Sequence, residues 1–420
     1  MPINRRAALK KTSAAIAGGL AFPSLSSAVQ NATTPYQRPK LKITDVRTAM
    51  VRVHGPQVHI RVYTDQGLFG QGESTDAAIG TPALINSWKR FLVGADPLNI
   101  DAIWQQIRQG GVFAGAQGGQ YTTALSGLEI ALWDLAGKAL GLPIYQLMGG
   151  KFRDKILIYC DTDMRGSPLG PEGDKKVDFV KQAGFKVAKI DLDEARDPNR
   201  FDRFNRTANN AEIDRMISWI RHIREKLPPE VELAADMHSF YDAATGKHVA
   251  QAAESYRLLW LEEPVPPENI DAMANIRQST KTRIATGENI FMRWGFVPIL
   301  EKQAVDILQP DFQKTGGLAE ARKIANMAEA YYIPLAPHCV VSPIGLMATC
   351  HASATYPNFI ACEWHWVNFP EYWKNWVKEG EIIEKGFVTV PDKPGIGVEM
   401  NEEVAKKAQI PGTGWFEPST

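Results

Sequence analysis

Cysteine is scarce in this chain: four residues (Cys160, Cys339, Cys350 and Cys362) out of 420, with neither a CxxC pair nor zinc-type spacing. A disulfide-stapled scaffold and a small zinc module are thereby excluded, and the thiols read as buried small hydrophobes. Excess charge is missing too, since 47 Lys and Arg balance 47 Asp and Glu. Such a balance offers nothing to nucleic acid or to an anionic membrane, and a small-molecule enzyme fits it better. No segment reaches the roughly 18 apolar residues that a membrane span needs. No strand-like run is followed by GxGxxG, which argues against a doubly wound dinucleotide fold; the glycines of GLFGQG (67 to 72) join extended segments and open no helix.

The first residues differ from the rest. Arg5-Arg6 and Lys10-Lys11 precede the weakly apolar run TSAAIAGGLAF, and Ser26 and Ala28 then suit a signal peptidase. Residues 1 to 28 therefore read as a twin-arginine export signal, which places the mature protein in the periplasm or otherwise outside the cytoplasm. Residues 29 to 40 read as a linker.

From Leu41 the pattern is strand-like, with ITDVRTAMVRV and VHIRVYT separated by HGPQ, and helical periodicity follows in TALSGLEIALWDLAGKALG. There Leu125, Leu128, Ala131, Leu132, Leu135 and Leu140 fall on one face, and Pro143 and Gly149-Gly150 are the expected stop. Residues 41 to 152 thus read as a small α+β domain. Beyond them a theme repeats: β-rich run, polar tip, amphipathic helix. The runs are ILIYCDTD, FKVAKIDLD, VELAADMHSF, RLLWLEEPV, TRIATGENI, AVDILQPDF, YIPLAPHCVV and NFIACEWHW. Eight such strands alternating with helices predict a parallel barrel over residues 153 to 375. Residues 376 to 420 leave this rhythm and are expected to pack on the first domain. The long polar stretch 193 to 210 reads either as a solvated insertion or as a lid carrying substrate contacts.

Polar residues recur at the strand ends. Asp236, Glu262 and Glu288 are 26 and 26 residues apart, and Asp311, His338 and Glu363 follow at intervals of 23, 27 and 25. Each gap is one strand-helix unit, so all six would project into the C-terminal mouth of a barrel, where barrel enzymes keep their chemistry. Three carboxylates from adjacent strands repel unless a counter-charge is present, and an all-oxygen set favours Mg²⁺, with Mn²⁺ as the alternative, over zinc. Asp311 and His338 come from the next two strands; an aspartate on one imidazole nitrogen leaves the other to act as a general base. In LAADMHSFY, Asp236 and His238 stand at i and i+2 and are expected to share one strand face.

At these residues the chain resembles the enolase superfamily, in particular the mandelate racemase branch and its acid-sugar dehydratases. The motifs are TDQGLFGQGE, LEIALWDLAGKALGLPIYQLMGG, LEEP, TGEN, QPDFQKTGG, LAPHCVVSPIG and KPGIGVE, spread over residues 41 to 400. The resemblance implies a modified (β/α)₇β TIM-type barrel under an α+β capping domain built from both chain ends. It implies Mg²⁺ held by Asp236, Glu262 and Glu288, an Asp311–His338 base, and an acidic Glu363 hydrogen-bonded to a substrate carboxylate. Lys189 matches the family lysine of the second barrel strand, and a homo-oligomer is implied as well. Racemases of this branch carry Lys-x-Lys there; here the sequence is Lys189-Ile190-Asp191, so the second base is missing. A one-sided reaction follows, with Asp191 left either to meet substrate hydroxyls or to pair with a basic residue of the next loop.

The implied reaction is dehydration of an aldonate-type sugar acid. His338 removes the proton α to the carboxylate, metal and hydrogen bonds stabilise the enediolate, and His238 protonates the departing β-hydroxyl to give a 2-keto-3-deoxy acid. The Asp-x-His of the galactonate dehydratases carries this role onto His238. An epimerase, or a cycloisomerase of an anhydro-sugar acid or lactone, begins with the same proton abstraction and is the runner-up. A non-catalytic sugar-acid binding protein is the remote alternative.

Overall fold

The computed structural model describes residues 37–164 and 169–418; the export signal expected over 1–28 and most of the linker expected over 29–40 lie outside the described residues. Strands β1 (Ile43–Arg52), β2 (Pro56–Thr64) and β3 (Phe69–Ser74) form an antiparallel sheet in that order. In β1 a register shift between Ile43 and Asp45 puts Ile43 and Val46 on the face packed against the cap helices, while Ala49 and Val51 on the opposite face join the barrel core, so the strand is buried on both sides rather than in strict alternation. Helices α1 (Thr81–Leu92), α2 (Ile100–Gly110) and α3 (Gly119–Leu140) cover the sheet. In α2 the buried Ile100, Ile103, Trp104 and Ile107 trace a single helical stripe.

Helix α3 departs from the one-faced reading. Its expected apolar face is buried except for half-buried Leu140, but so are Glu129, Ile130 and Asp134 on other sides. The helix is wedged between the sheet and the barrel. On the sheet side it lies so close to β3 that a Cβ on Gly70 would collide with the carbonyl of Ala131, and one on Gly72 with that of Gly127. Those two glycines of GLFGQG thus permit a close helix–strand approach. The helix stops at Gly141, which takes the left-handed conformation (φ 70°), before Pro143 is reached.

The second layer is the barrel. Parallel strands β4 (Lys155–Asp161), β5 (Val187–Asp191), β6 (Glu232–Asp236), β7 (Leu261–Glu262), β8 (Ile284–Thr286) and β9 (Ile307–Leu308) pair in sequence order. An extended segment at Leu335 bridges Leu308 on one side and Phe359 on the other, and β10 (Cys362–Trp364) closes the ring on β4. Helices α4 (Pro171–Gln182), α5 (Asn210–Lys226), α6 (Ala243–Ala252), α7 (Ile270–Gln278), α8 (Met292–Glu301), α9 (Leu318–Glu329) and α10 (Pro343–Ser353) intervene one by one. This is a (β/α)₇β barrel.

One residue from each strand position fills its interior: Tyr159, Val187, Ala234, Trp260, Ala285, Ile307, Ala336 and Ala361. Two bulky rings packed edge to face, Tyr159 and Trp260 with centroids 5.2 Å apart, offset the small alanines. The plug is solid, so ligands can enter only above it.

The C-terminal segment divides. A hairpin of β11 (Ile383–Glu384) and β12 (Phe387–Thr389) pairs with the start of β4, and so belongs to the barrel rather than to the cap. The remainder returns to the first domain, where Gln409 and Trp415 bridge Val51 and Ala49. The four cysteines are buried and free. Among the described residues no helix is long and apolar enough to cross a membrane.

Two buried carboxylates of the cap fasten it to the barrel. Glu73 accepts hydrogen bonds from Ser342 N (2.8 Å) and Gly345 N (3.1 Å) at the start of α10. Glu129 accepts from Leu318 N (2.8 Å) and Ala319 N (2.9 Å) at the start of α9. Each places its acceptor oxygens where a helix presents unpaired N–H groups. Neighbouring Asp134 ties α3 to the returning tail by accepting from Ile396 N (2.8 Å).

Candidate active site

The period of a strand builds the site. Two residues beyond the plug, on the same interior face, stand Asp161, Lys189, Asp236, Glu262, Gly287, Gln309, His338 and Glu363. Parallel register sets them side by side: Asp161 opposite Lys189, and Asp236 opposite Glu262. At Gly287 (φ 151°) a Cβ would lie 2.7 Å from the carbonyl carbon of Gln309, so the chain there has to be glycine for β8 and β9 to close and for Glu288 to follow.

Lys189 is the hub. Its buried Nζ lies 2.7 Å from Glu363 Oε1, 2.9 Å from Asp236 Oδ2, 3.3 Å from Asp161 Oδ2 and 3.4 Å from Glu262 Oε2. Burial disfavours its charge, but the surrounding carboxylates outweigh this and hold its pKa well above the ordinary lysine range. One ammonium among four carboxylates leaves negative charge uncompensated. Burial, together with Asp236, Glu363 and Glu288, consequently pushes Glu262 well above the usual carboxylate range. Trp260 Nε1 (3.1 Å) and Gln309 Nε2 (2.8 Å) also donate to Glu262.

Two imidazoles enter the mouth, each held by its own aspartate. His338 Nδ1 is 2.7 Å from Asp311 Oδ2, while its Nε2 is 2.8 Å from Glu288 Oε2 and 3.7 Å from Glu363 Oε2. Burial opposes the charge on this ring, but Glu288 and Glu363 hold it protonated, with Glu288 correspondingly depressed. Glu363 accepts from Cys339 N (2.8 Å), and burial raises its pKa despite Lys189 and His338.

The second ring, His238, is not placed by strand pleat as the sequence suggested. Strand β6 ends at Asp236, and His238 and Ser239 take positive φ of 45° and 54°. The Asp236 carboxylate accepts from His238 N (2.8 Å), so a side-chain-closed turn brings the ring back over the strand end. Its Nε2 then lies 3.7 Å from Asp236 Oδ2 and 3.9 Å from Asp191 Oδ1. Its Nδ1 is 2.7 Å from Asp193 Oδ1. Burial works against protonation here as well, and Asp236, Asp193 and Asp191 override it.

The loop 193–210 thus brings Asp193 to the site. It also packs on the turn after His238, through Arg206 Nη1 to Ser239 O (2.6 Å) and the Arg200 guanidinium 4.4 Å over the Phe240 ring.

The expected ligand trio is only partly gathered. Among the described residues, the potential metal-ligating atoms that lie mutually within 4.8 Å belong to Asp191, Asp236 and His238, not to Asp236, Glu262 and Glu288. The reason lies in the two cations nearby, since Lys189 draws Glu262 and His338 draws Glu288. Chemically, the buried all-oxygen set at and just beyond the ends of β6 to β8 still suits a hard divalent cation, because the carboxylates there outnumber the cations that face them.

Sequence reading gives no role to Asp161, Gln309 or His365, and it reaches Asp193 and His54 only through their loops, 193–210 and HGPQ, without singling out either residue. The period-two rule counted from the barrel plug would have found Asp161 and Gln309. Asp193 and His54 come from loops, which carry no such signal.

The chain belongs to the mandelate racemase and muconate lactonizing enzyme branch of the enolase superfamily: residues 32–149 match its N-terminal domain and residues 174–404 the enolase C-terminal domain-like family. It is an enzyme of the lyase class. It is 39% identical over 378 residues to a D-xylonate dehydratase of Haloferax volcanii, covering 90% of this chain and 91% of that one. A D-galactonate dehydratase of Pectobacterium atrosepticum is 33% identical over 387 residues, 90% of this chain and 97% of the other. Among solved structures, a mandelate racemase/muconate lactonizing enzyme-like protein from Rubrobacter xylanophilus superposes with TM-score 0.86 at 38% identity, over 91% of this chain and 100% of that one. The 3,6-anhydro-D-galactonate cycloisomerase of Zobellia galactanivorans gives 0.77 at 26%, over 88% and 99%.

Proposed function

We propose that this protein is a Mg²⁺-dependent dehydratase of an aldonate-type sugar acid, yielding a 2-keto-3-deoxy acid. The observation that carries the reading is the pair of imidazoles, His338 on Asp311 and His238 on Asp193, rising from separated strand positions over one buried carboxylate cluster. One serves as base and the other as acid. The names of the dehydratase relatives support the substrate class.

Asp236, Glu262 and Glu288 would hold the cation, with Asp191 and His238 as the alternative neighbours of Asp236. When bound, it supplies positive charge to the substrate carboxylate and to the enediolate formed from it. Lys189 and Glu363 complete the surroundings of that carboxylate, one as a fixed charge and the other as a buried acid able to donate. His338 takes the α-proton at Nε2, which requires Glu288 to release that nitrogen; Asp311 keeps the opposite nitrogen as the N–H. His238, held protonated, gives its Nε2 proton to the leaving β-hydroxyl.

The experiment is incubation of the Mg²⁺-supplied protein with D-xylonate, D-galactonate and further hexonates and pentonates in D₂O. Loss of water with a keto-acid product supports the reading. An isomer of unchanged mass would move the assignment to an epimerase or cycloisomerase, and no turnover with any acid sugar would remove it.

We further propose export through the segment containing Arg5-Arg6, and assembly into a homo-oligomer. Cell fractionation with mass measurement of the mature chain tests the first, and light scattering tests the second.

A further inference from the structure

The mouth of the barrel holds a second polar cluster, on the far side from Glu262 and Glu288, that meets the chemistry above only at Asp161, whose Oδ2 is 3.3 Å from Lys189 Nζ. His365 lies two residues beyond Glu363 and is 4% exposed. Its Nε2 is 3.0 Å from Nε2 of His54, which hangs from the turn between β1 and β2 of the cap. The rings stand 3.8 Å apart, centroid to centroid, and Phe369 abuts His54 edge-on. Behind them Asp161 Oδ2 is 3.9 Å from His365 Nδ1, and Asp161 Oδ1 accepts from Asp163 N (2.8 Å).

His365 Nδ1 is the anomaly. It is buried and has no hydrogen-bond partner among the described residues. A separation of 3.9 Å is too long for a hydrogen bond, yet one oxygen atom placed to the side would be in reach of both groups. The ring is neutral, because burial and the nearby Lys189 charge hold it down to about 3 against the pull of Asp161. It therefore carries one N–H. An N–H at Nδ1 faces the carboxylate favourably, whereas a lone pair there would repel it. With the proton at Nδ1, Nε2 is an acceptor, and His54 must donate to it from its own Nε2.

We propose that His365 Nδ1 and Asp161 Oδ2 together hold a hydroxyl of the substrate's polyol tail, remote from the reacting carbons, with His54 of the cap fixing the tautomer that makes this work. The inference rests on the sugar-acid reading above. A hydroxyl is the group that suits both partners, since it donates to Asp161 while accepting from His365. A carbonyl cannot donate, an ammonium cannot accept from the N–H, a second carboxylate is repelled by Asp161, and a methyl leaves two buried groups unpaired. The site would thus select acids long enough to carry a hydroxyl beyond the β-carbon. It would also make a cap residue part of that selection.

The test compares D-xylonate with D-glycerate, which has the carboxylate, α-hydroxyl and β-hydroxyl but no tail. Dissociation constants are measured by calorimetry with Mg²⁺ in the His338→Asn background, so that binding is read whether or not the protein turns either acid over. Replacing His365 by Leu is expected to weaken D-xylonate tenfold or more and D-glycerate less than twofold. His365→Asn, whose amide N–H can stand where Nδ1–H stood, should restore most of the loss. His54→Ala, at an exposed position, gives the same selective weakening to a smaller degree and guards against a misfolded core variant. Equal weakening of both acids by His365→Leu, or none of either, overturns the proposal. Failure of the dehydratase reading shows separately, as binding without water loss in the unsubstituted protein.

Discussion

Asp193 Oδ1 stands 2.7 Å from Nδ1 of His238, so the imidazole over the end of β6 is held by a carboxylate from the loop after β5 rather than by its own strand. This contact fixes which nitrogen faces the substrate. Replacing Asp193 by Asn is expected to slow dehydration by about tenfold or more while leaving α-proton exchange with D₂O, measured by NMR, within a few-fold of the parent. Equal loss of both would make Asp193 a general structural support.

The roles of the two imidazoles separate in the same assay. His238→Asn should abolish water loss and keep exchange, because the proton taken at His338 is untouched. His338→Asn should abolish both, and Asp311→Asn should approach it, by about 10² to 10⁴-fold in rate. Exchange surviving in His338→Asn would transfer the base to another group.

Cation dependence is checked without substrate. Adding Mg²⁺ at about 100 times its dissociation constant should stabilise the protein by about 2.7 kcal/mol, read as a raised Tm, and EDTA should reverse it. Glu262→Gln and Asp236→Asn should lose this shift. Retention in Glu262→Gln with loss in His238→Asn would instead favour the Asp191, Asp236 and His238 set.

The contribution of Glu73 and Glu129 to stability should fall as pH rises from acid to neutral. Glu73 and Glu129 are both raised by burial from 4.5 to about 7, in spite of their hydrogen bonds. A pKa raised on folding means that the folded state binds more protons, so this contribution is complete below about pH 4.5 and is lost as pH passes through 7. The loss amounts to about 3 kcal/mol per group at most. Denaturant unfolding across that range should show the slope, and Glu73→Gln should make it shallower.

Gly287→Ala tests the closure of the mouth. With its positive φ and no room for a Cβ, the substitution should destabilise by about 1–3 kcal/mol and shift Glu288, which Mg²⁺ affinity would register.

Much of this is legible in the sequence. The intervals from Asp236 through Glu363 gave a barrel with six polar strand ends, because a repeated strand-helix unit has a nearly constant length. The (β/α)₇β ring closes as that rhythm requires. What escaped lay where no period operates. Asp193 and His54 reach the mouth from loops, and His238 arrives through a turn with positive φ that a strand pattern cannot encode. Helix α3 misled for another reason. Glu129 and Asp134 look like the solvent side of an amphipathic helix, but they face backbone N–H groups donated by distant parts of the chain.

Those N–H groups have a consequence for how the chain assembles. Glu73 meets Ser342 across 269 residues of sequence, and Glu129 meets Ala319 across 190. Until α9 and α10 have been synthesised, those two carboxylates must stay hydrated, so the last contacts of the first domain wait on nearly the whole polypeptide.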